Sequence, residues 1–171
     1  MSWGKGDDTS AKRGYHHGNL REALIKAALD LISQKGPAGF TFAEAARVAG
    51  VSPAAPYRHF RDRDALIADV ARQGFQAFAR ALESAWGAGQ PNPRSAFERG
   101  GRAYLHFART EPAYFAAMFE SGLAGADYPE MAVEGDRAFA ILRTACEALL
   151  ETMPKVKRPP AMMITGMSID L

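Results

Sequence analysis

The chain has 171 residues, enough for one domain of ordinary size or a small domain joined to a larger one. Its composition, 47% hydrophobic and 23% charged, allows a real core and excludes a chain disordered throughout. The net charge of +2 names no partner, and the single cysteine, Cys146, excludes an internal disulfide and fits a reducing, cytoplasmic location. No apolar run approaches the roughly 20 residues that a bilayer span needs. The polar start, MSWGKGDDTSAKRG, lacks the apolar centre of a secretory signal.

In chain order, residues 1–14 read as a flexible arm, small, polar and glycine-rich. Asn19 is placed to cap a helix whose apolar positions, Leu20, Leu24, Ala27, Ala28, Leu31 and Ile32, fall on one face. Gly36-Pro37 ends it. Thr41 and Glu44 have the spacing of a capping box, with Phe40 and Ala45 where a hydrophobic staple packs. That second helix runs to Ala49, and Gly50 supplies the left-handed backbone of its end. Ser52 then caps a third helix, with Pro53 at its first position.

Asp62 begins a long helix through Ile67, Val70, Gly74, Phe78 and Leu82 to Trp86. After the breaker run 87–93, Asn92 and Pro93 open a helix to about Thr110, and Glu111-Pro112 opens a short aromatic one to about residue 121. A last helix spans about Glu130 to Met153, with Ala138, Ile141, Leu142, Ala145 and Leu149 on its apolar stripe, and Pro154 stops it. No convincing strand pattern and no internal repeat occur, so the expected class is all-α.

Two capped helices joined at a glycine turn within residues 41–60 form the layout of a helix-turn-helix, which points to double-stranded DNA. Charge supports this: residues 9–63 hold nine Lys or Arg against four Asp or Glu, whereas residues 75–171 hold ten against eleven. Small groups at the start of a reading helix reach base edges, and cations beside it hold phosphates. On that logic Ser52, Ala54 and Ala55 face bases, while Tyr57, Arg58, His59, Arg61 and Arg63 serve the backbone. Thr41 offers a hydroxyl, and Lys12 and Arg13 extend the contact along the arm, near His16, His17 and Arg21. Phe60 is expected to seal the small core.

These residues give the chain a family likeness. The runs Asn19-Leu20-Arg21-Glu22-Ala23-Leu24, Phe40-Thr41, Ala45-Ala46, Gly50-Val51-Ser52, Tyr57-Arg58-His59-Phe60 and Asp64-Ala65-Leu66 resemble the tetracycline-repressor (TetR) family of bacterial transcription regulators. Tyr104 to Phe119 is similar, more loosely, to the C-terminal domain of one branch. The resemblance implies a helix-turn-helix domain over residues 15–61 that binds operator DNA within a homodimer. It implies a helical ligand-binding and dimerisation domain over 62–171. Two departures stand out. Pro56 replaces an aliphatic residue in the reading helix, removes a backbone hydrogen bond and displaces the helix start. Beyond Pro160 only AMMITGMSIDL remains, about three helical turns, so the domain reads as incomplete, without the usual last two helices.

The aromatic group Tyr104, Phe107, Tyr114, Phe115, Met118 and Phe119 is the candidate pocket for a small-molecule inducer. His16-His17 lacks a third metal ligand, and His106 with Arg102 and Arg109 reads as a solvated face. Cys146 reads as a small core residue, and Lys155, Lys157 and Arg158 as a solvated loop. No phosphate loop or nucleophile motif supports an enzyme, and neither metal nor cofactor is expected. The expected function is a DNA-binding regulator, a repressor relieved by an apolar or amphipathic ligand. The alternative is a truncated ligand-binding or dimer-interfering module that binds DNA weakly.

Overall fold

A computed structural model describes residues 19–154. Among them six α-helices and no strands occur: α1 Asn19–Lys35, α2 Phe42–Val48, α3 Arg63–Trp86, α4 Pro93–Thr110, α5 Pro112–Phe119 and α6 Pro129–Glu151. The arm, with Lys12, Arg13, His16 and His17, and the loop residues Lys155, Lys157 and Arg158 lie outside the described residues, as does the tail after Pro160.

Local chemistry sets most helix ends. Gly36 stops α1 at a φ of 76°, and Gly87 stops α3 in the left-handed conformation. Asp62 caps α3 by accepting the Ala65 amide at 2.8 Å, and Asn92 caps α4 by accepting the Ser95 amide at 2.9 Å. Pro93, Pro112 and Pro129 all stand at first-turn positions, where a missing N–H costs nothing.

The long helix α3 is the spine. Leu66, Ile67, Val70, Ala71, Phe75, Phe78 and Leu82 are buried along it, and α1, α4, α5 and α6 all pack against it. Its first half closes on Leu24, Ala28, Leu31, Phe40 and Phe60. Its second half carries an aromatic stack in which Phe78 meets Tyr104 edge-on at 5.2 Å and Phe107 at a tilt at 5.1 Å. Gly74 lets α5 come close, because a Cβ there would lie 2.8 Å from the Met118 sulfur. Helix α6 runs parallel to α3: Gln76 donates to Glu134 at 2.7 Å, and further along both helices Arg137 pairs with Glu83 at 3.0 Å. Of the stripe expected on α6, Ala138 and Ala145 are buried, whereas Ile141, Leu142 and Leu149 are only half-buried; Met131 and Gly135 complete the buried face.

Candidate nucleic-acid interface

Helix α2 and its turn follow from four residues. The Glu44 amide donates to Thr41 Oγ1 at 3.2 Å while the Thr41 amide donates to Glu44 Oε2 at 2.8 Å, a closed capping box. Lys35 Nζ, from the end of α1, pairs with Glu44 Oε1 at 2.7 Å. Together Lys35 and Thr41 hold the Glu44 carboxyl at about 2, from an ordinary 4.5, with Lys35 the larger cause. At the other end Gly50 has φ 73°, its amide donates to the Arg47 carbonyl at 3.1 Å, and the Val51 amide donates to the Ala46 carbonyl at 3.0 Å. This pair of bonds is the Schellman closure that glycine permits.

The next element differs from the expectation. No α-helix starts at Ser52; a single 3-10 turn spans Ala55–Arg58, and no side chain caps it. The reason is proline spacing. Pro53 and Pro56 lack N–H groups, so the α-helical bond from residue 56 back to the Ser52 carbonyl cannot form. That carbonyl instead accepts the Ala55 amide at 3.0 Å, and the Pro56 carbonyl accepts both the His59 and Phe60 amides at 3.0 Å. The Pro56 ring is fully buried and takes the place of an aliphatic side chain.

The turn carries its polar groups outward. Ser52, Pro53, Ala54, Tyr57, Arg58 and Arg61 are exposed, Ala55 and His59 half-buried, and Phe60 is buried as expected. Tyr57 is 64% exposed, with its ring edge-on to Phe42 at 5.0 Å, so α2 supports it from behind. Arg61 pairs with Asp62 at 2.8 Å, which raises the guanidinium pKa; Asp62 is lowered by the Ala65 amide first and by Arg61 second.

Two expected backbone contacts are committed elsewhere. Arg63 pairs with Asp64 at 2.7 Å and donates to the Ala38 and Phe40 carbonyls at 3.3 and 3.4 Å, so it ties the start of α3 to the loop before α2. The Thr41 hydroxyl is occupied by the capping box. Arg21 likewise turns inward, to Asp69 at 3.0 Å, with its guanidinium 4.8 Å above the Phe60 ring. One residue that sequence reasoning passed over is Arg47. It is exposed and, with Ala43, Glu44, Val51 and Pro53, lines a groove of about 450 Å³ beside the reading turn. Its place in the last turn of α2, next to the glycine, is the signal that marks it.

The aromatic candidates separate into two groups. Phe107 and Tyr114 border a groove of about 330 Å³ among α3, α4 and α5, with Ala77, Ala81, Ala103 and His106. Tyr104, Phe115, Met118 and Phe119 instead pack on one another and on Phe75 and Phe78 in the core. The Tyr114 phenol is raised by burial, then by Glu111 and Asp69. Burial, then Glu147, also raises the half-buried Cys146 thiol. Among the described residues no group of His, Cys, Asp or Glu is arranged to hold a metal, and no helix is long and apolar enough to cross a membrane.

A capped helix, a Schellman turn and an outward tyrosine-arginine turn on an all-α frame define a helix-turn-helix DNA-binding protein. The family model described as bacterial regulatory proteins, tetR family, matches residues 24–70, and the tetracyclin repressor-like C-terminal domain matches residues 97–168. Together they span more than half of the chain, which belongs to the tetracycline-repressor family and is a DNA-binding transcriptional regulator. Among solved structures it is similar to a protein of unknown function from Rhodococcus sp. RHA1. The two are 29% identical with a TM-score of 0.70, over 91% of this chain and 81% of that one. PfmR of Thermus thermophilus, a TetR family transcriptional regulator, is 20% identical with a TM-score of 0.65, over 84% and 79% of the two chains. A TetR family regulator from Marinobacter aquaeolei is 17% identical with a TM-score of 0.64, over 89% and 78%. At those identities the last two speak for the fold alone. Comparison with curated proteins returns no match.

Proposed function

We propose that the protein is a repressor that binds a specific operator as a homodimer, in the cytoplasm, and leaves it when a small apolar or amphipathic ligand binds. The observation that carries the DNA-reading part is Tyr57, held edge-on by Phe42 yet 64% exposed, beside exposed Arg58. A large aromatic kept at the surface by a dedicated support has a partner to meet. Ser52, Ala54 and Ala55 read base edges, and Tyr57, Arg58, His59 and Arg61 grip phosphates, joined by Lys12 and Arg13 of the arm. Thr41 and Arg63 act by holding the backbone that presents these groups.

The groove beside Phe107 and Tyr114 is the ligand site of this reading, because apolar clefts between helices suit small molecules. The ligand works by favouring an arrangement in which two reading turns no longer match successive major grooves, about 34–36 Å apart. Selection of bound duplexes from a random library tests the proposal. A palindromic consensus with half-sites one turn apart is expected. Binding without sequence preference, or light scattering that gives a monomer on the selected duplex, overturns it.

A further inference from the structure

Most cations around the reading turn already have an acidic partner. Arg21 pairs with Asp69, Lys35 with Glu44, Arg61 with Asp62 and Arg63 with Asp64. Arg47 differs. It is exposed in the last turn of α2, and its guanidinium makes no ion pair or hydrogen bond among the described residues. The acid best placed to neutralise it is Glu44, three residues back on the same helix and on the same groove. Both oxygens of that carboxylate are engaged, one by Lys35 Nζ at 2.7 Å and the other by the Thr41 amide at 2.8 Å. Arg47 is left with its donor fork free.

The groove that Arg47 lines is formed by α2 and the approach to the reading turn. Ala43, one helical turn back, and Val51 and Pro53 complete it, and none of the three has a side-chain hydrogen-bonding group. The start of the reading turn is poor in such groups as well. Of Ser52, Pro53, Ala54 and Ala55 only Ser52 has one, and a hydroxyl that both donates and accepts separates bases weakly. Alanine offers apolar contact with a thymine methyl and no more. The Glu44 carboxyl, held at about 2, stays ionised at neutral pH, and an anion on the groove suits the uncharged edge of a base pair better than a phosphate.

We propose that Arg47 is a specificity-determining residue, whose guanidinium reads a guanine in the major groove by donating to O6 and N7. The inference rests on the DNA-reading role of the turn and names the side chain that supplies the discrimination the turn lacks. Pro56 limits the reading element to a single 3-10 turn, so base reading is shared between that turn and α2. Ala54 and Ala55 shape the fit, Ser52 adds a hydroxyl, and α2 contributes a bidentate contact. Each half-site therefore holds a G·C pair whose identity depends on Arg47.

The test is selection from a random duplex library with the full chain, run in parallel with Arg47→Ala and Arg47→Lys. The unaltered chain is expected to prefer one G·C pair in each half-site by about tenfold or more. Arg47→Ala is expected to lose that preference while the other positions keep theirs. The melting temperature stays where it was, since no polar contact among the described residues is lost. A role limited to the dipole of α2 would instead move the melting temperature and spare the consensus. A consensus that Arg47→Ala leaves intact overturns the proposal. So does an equal loss on all duplexes that Arg47→Lys recovers, which marks a phosphate contact. An unaltered chain that selects no consensus brings down the DNA-reading role as a whole, and this inference with it.

Discussion

Arg21, in the first turn of α1, reaches across to Asp69 on α3 at 3.0 Å and covers the Phe60 ring on the way. One guanidinium therefore joins the first helix, the end of the reading turn and the spine. Asp69 is 7% exposed, the sole charged side chain so buried among the described residues, and also takes Arg72 and the Gln73 amide. Asp69→Asn keeps the shape and removes the charge. Because Arg21 stays half in solvent, the expected loss is about 1–3 kcal/mol, below the roughly 3–5 kcal/mol of a fully buried pair. Urea unfolding measures it, and a smaller loss for Arg21→Met is expected.

Removing the outward groups of the reading turn has a different effect. Tyr57→Ala and Arg58→Ala each weaken binding to every duplex by about 1–3 kcal/mol while the melting temperature barely moves. Fluorescence anisotropy across salt concentrations checks this, with a shallower salt slope for Arg58→Ala as one phosphate contact is lost. Unchanged affinity in both variants removes the turn from the interface.

The Glu44 carboxyl gives a pH signature. Its pKa is depressed in the folded state, so its contribution is present above the ordinary value of 4.5 and is lost as pH falls toward about 2. Carbon-detected NMR titration of Glu44 is expected to show a midpoint near 2, and Lys35→Met to move it upward. A midpoint in the ordinary carboxylate range for the unaltered chain refutes the Lys35 contact.

Gly74 tests the close approach of α5 to α3. In Gly74→Ala the new Cβ meets Met118 Sδ at 2.8 Å and Tyr114 Cδ1 at 3.2 Å unless the helices part. Met118 is buried and cannot simply swing into solvent. The expected cost is about 1–3 kcal/mol despite alanine's better helix propensity. A calorimetric melt showing a stabilised variant contradicts the packing.

Where the physics is local, the sequence announced the fold. Thr41 with Glu44, Asp62, Asn92, Gly36 and Gly50 each act within a few residues of themselves, and the helices start and stop accordingly. The reading element was harder, since two opposed signals meet there: Ser52-Pro53 opens a helix, while Pro56 prevents its first bond. The roles of Arg21 and Arg63 were illegible because their partners, Asp69 and the Ala38 and Phe40 carbonyls, arrive only through tertiary folding. The aromatic segment reads from the sequence as a candidate pocket, but ring spacing on a helix does not tell a packed stack from the wall of a groove.

The proline pair in the reading turn has one more effect. With φ pinned at Pro53 just before the turn and at Pro56 within it, and with Pro56 locked into the interior, this short element resists lengthening into a regular helix to suit a duplex. Accommodation then falls to the nucleic acid, and operators with pliable pyrimidine–purine steps are expected to meet the rigid head at the lowest elastic cost.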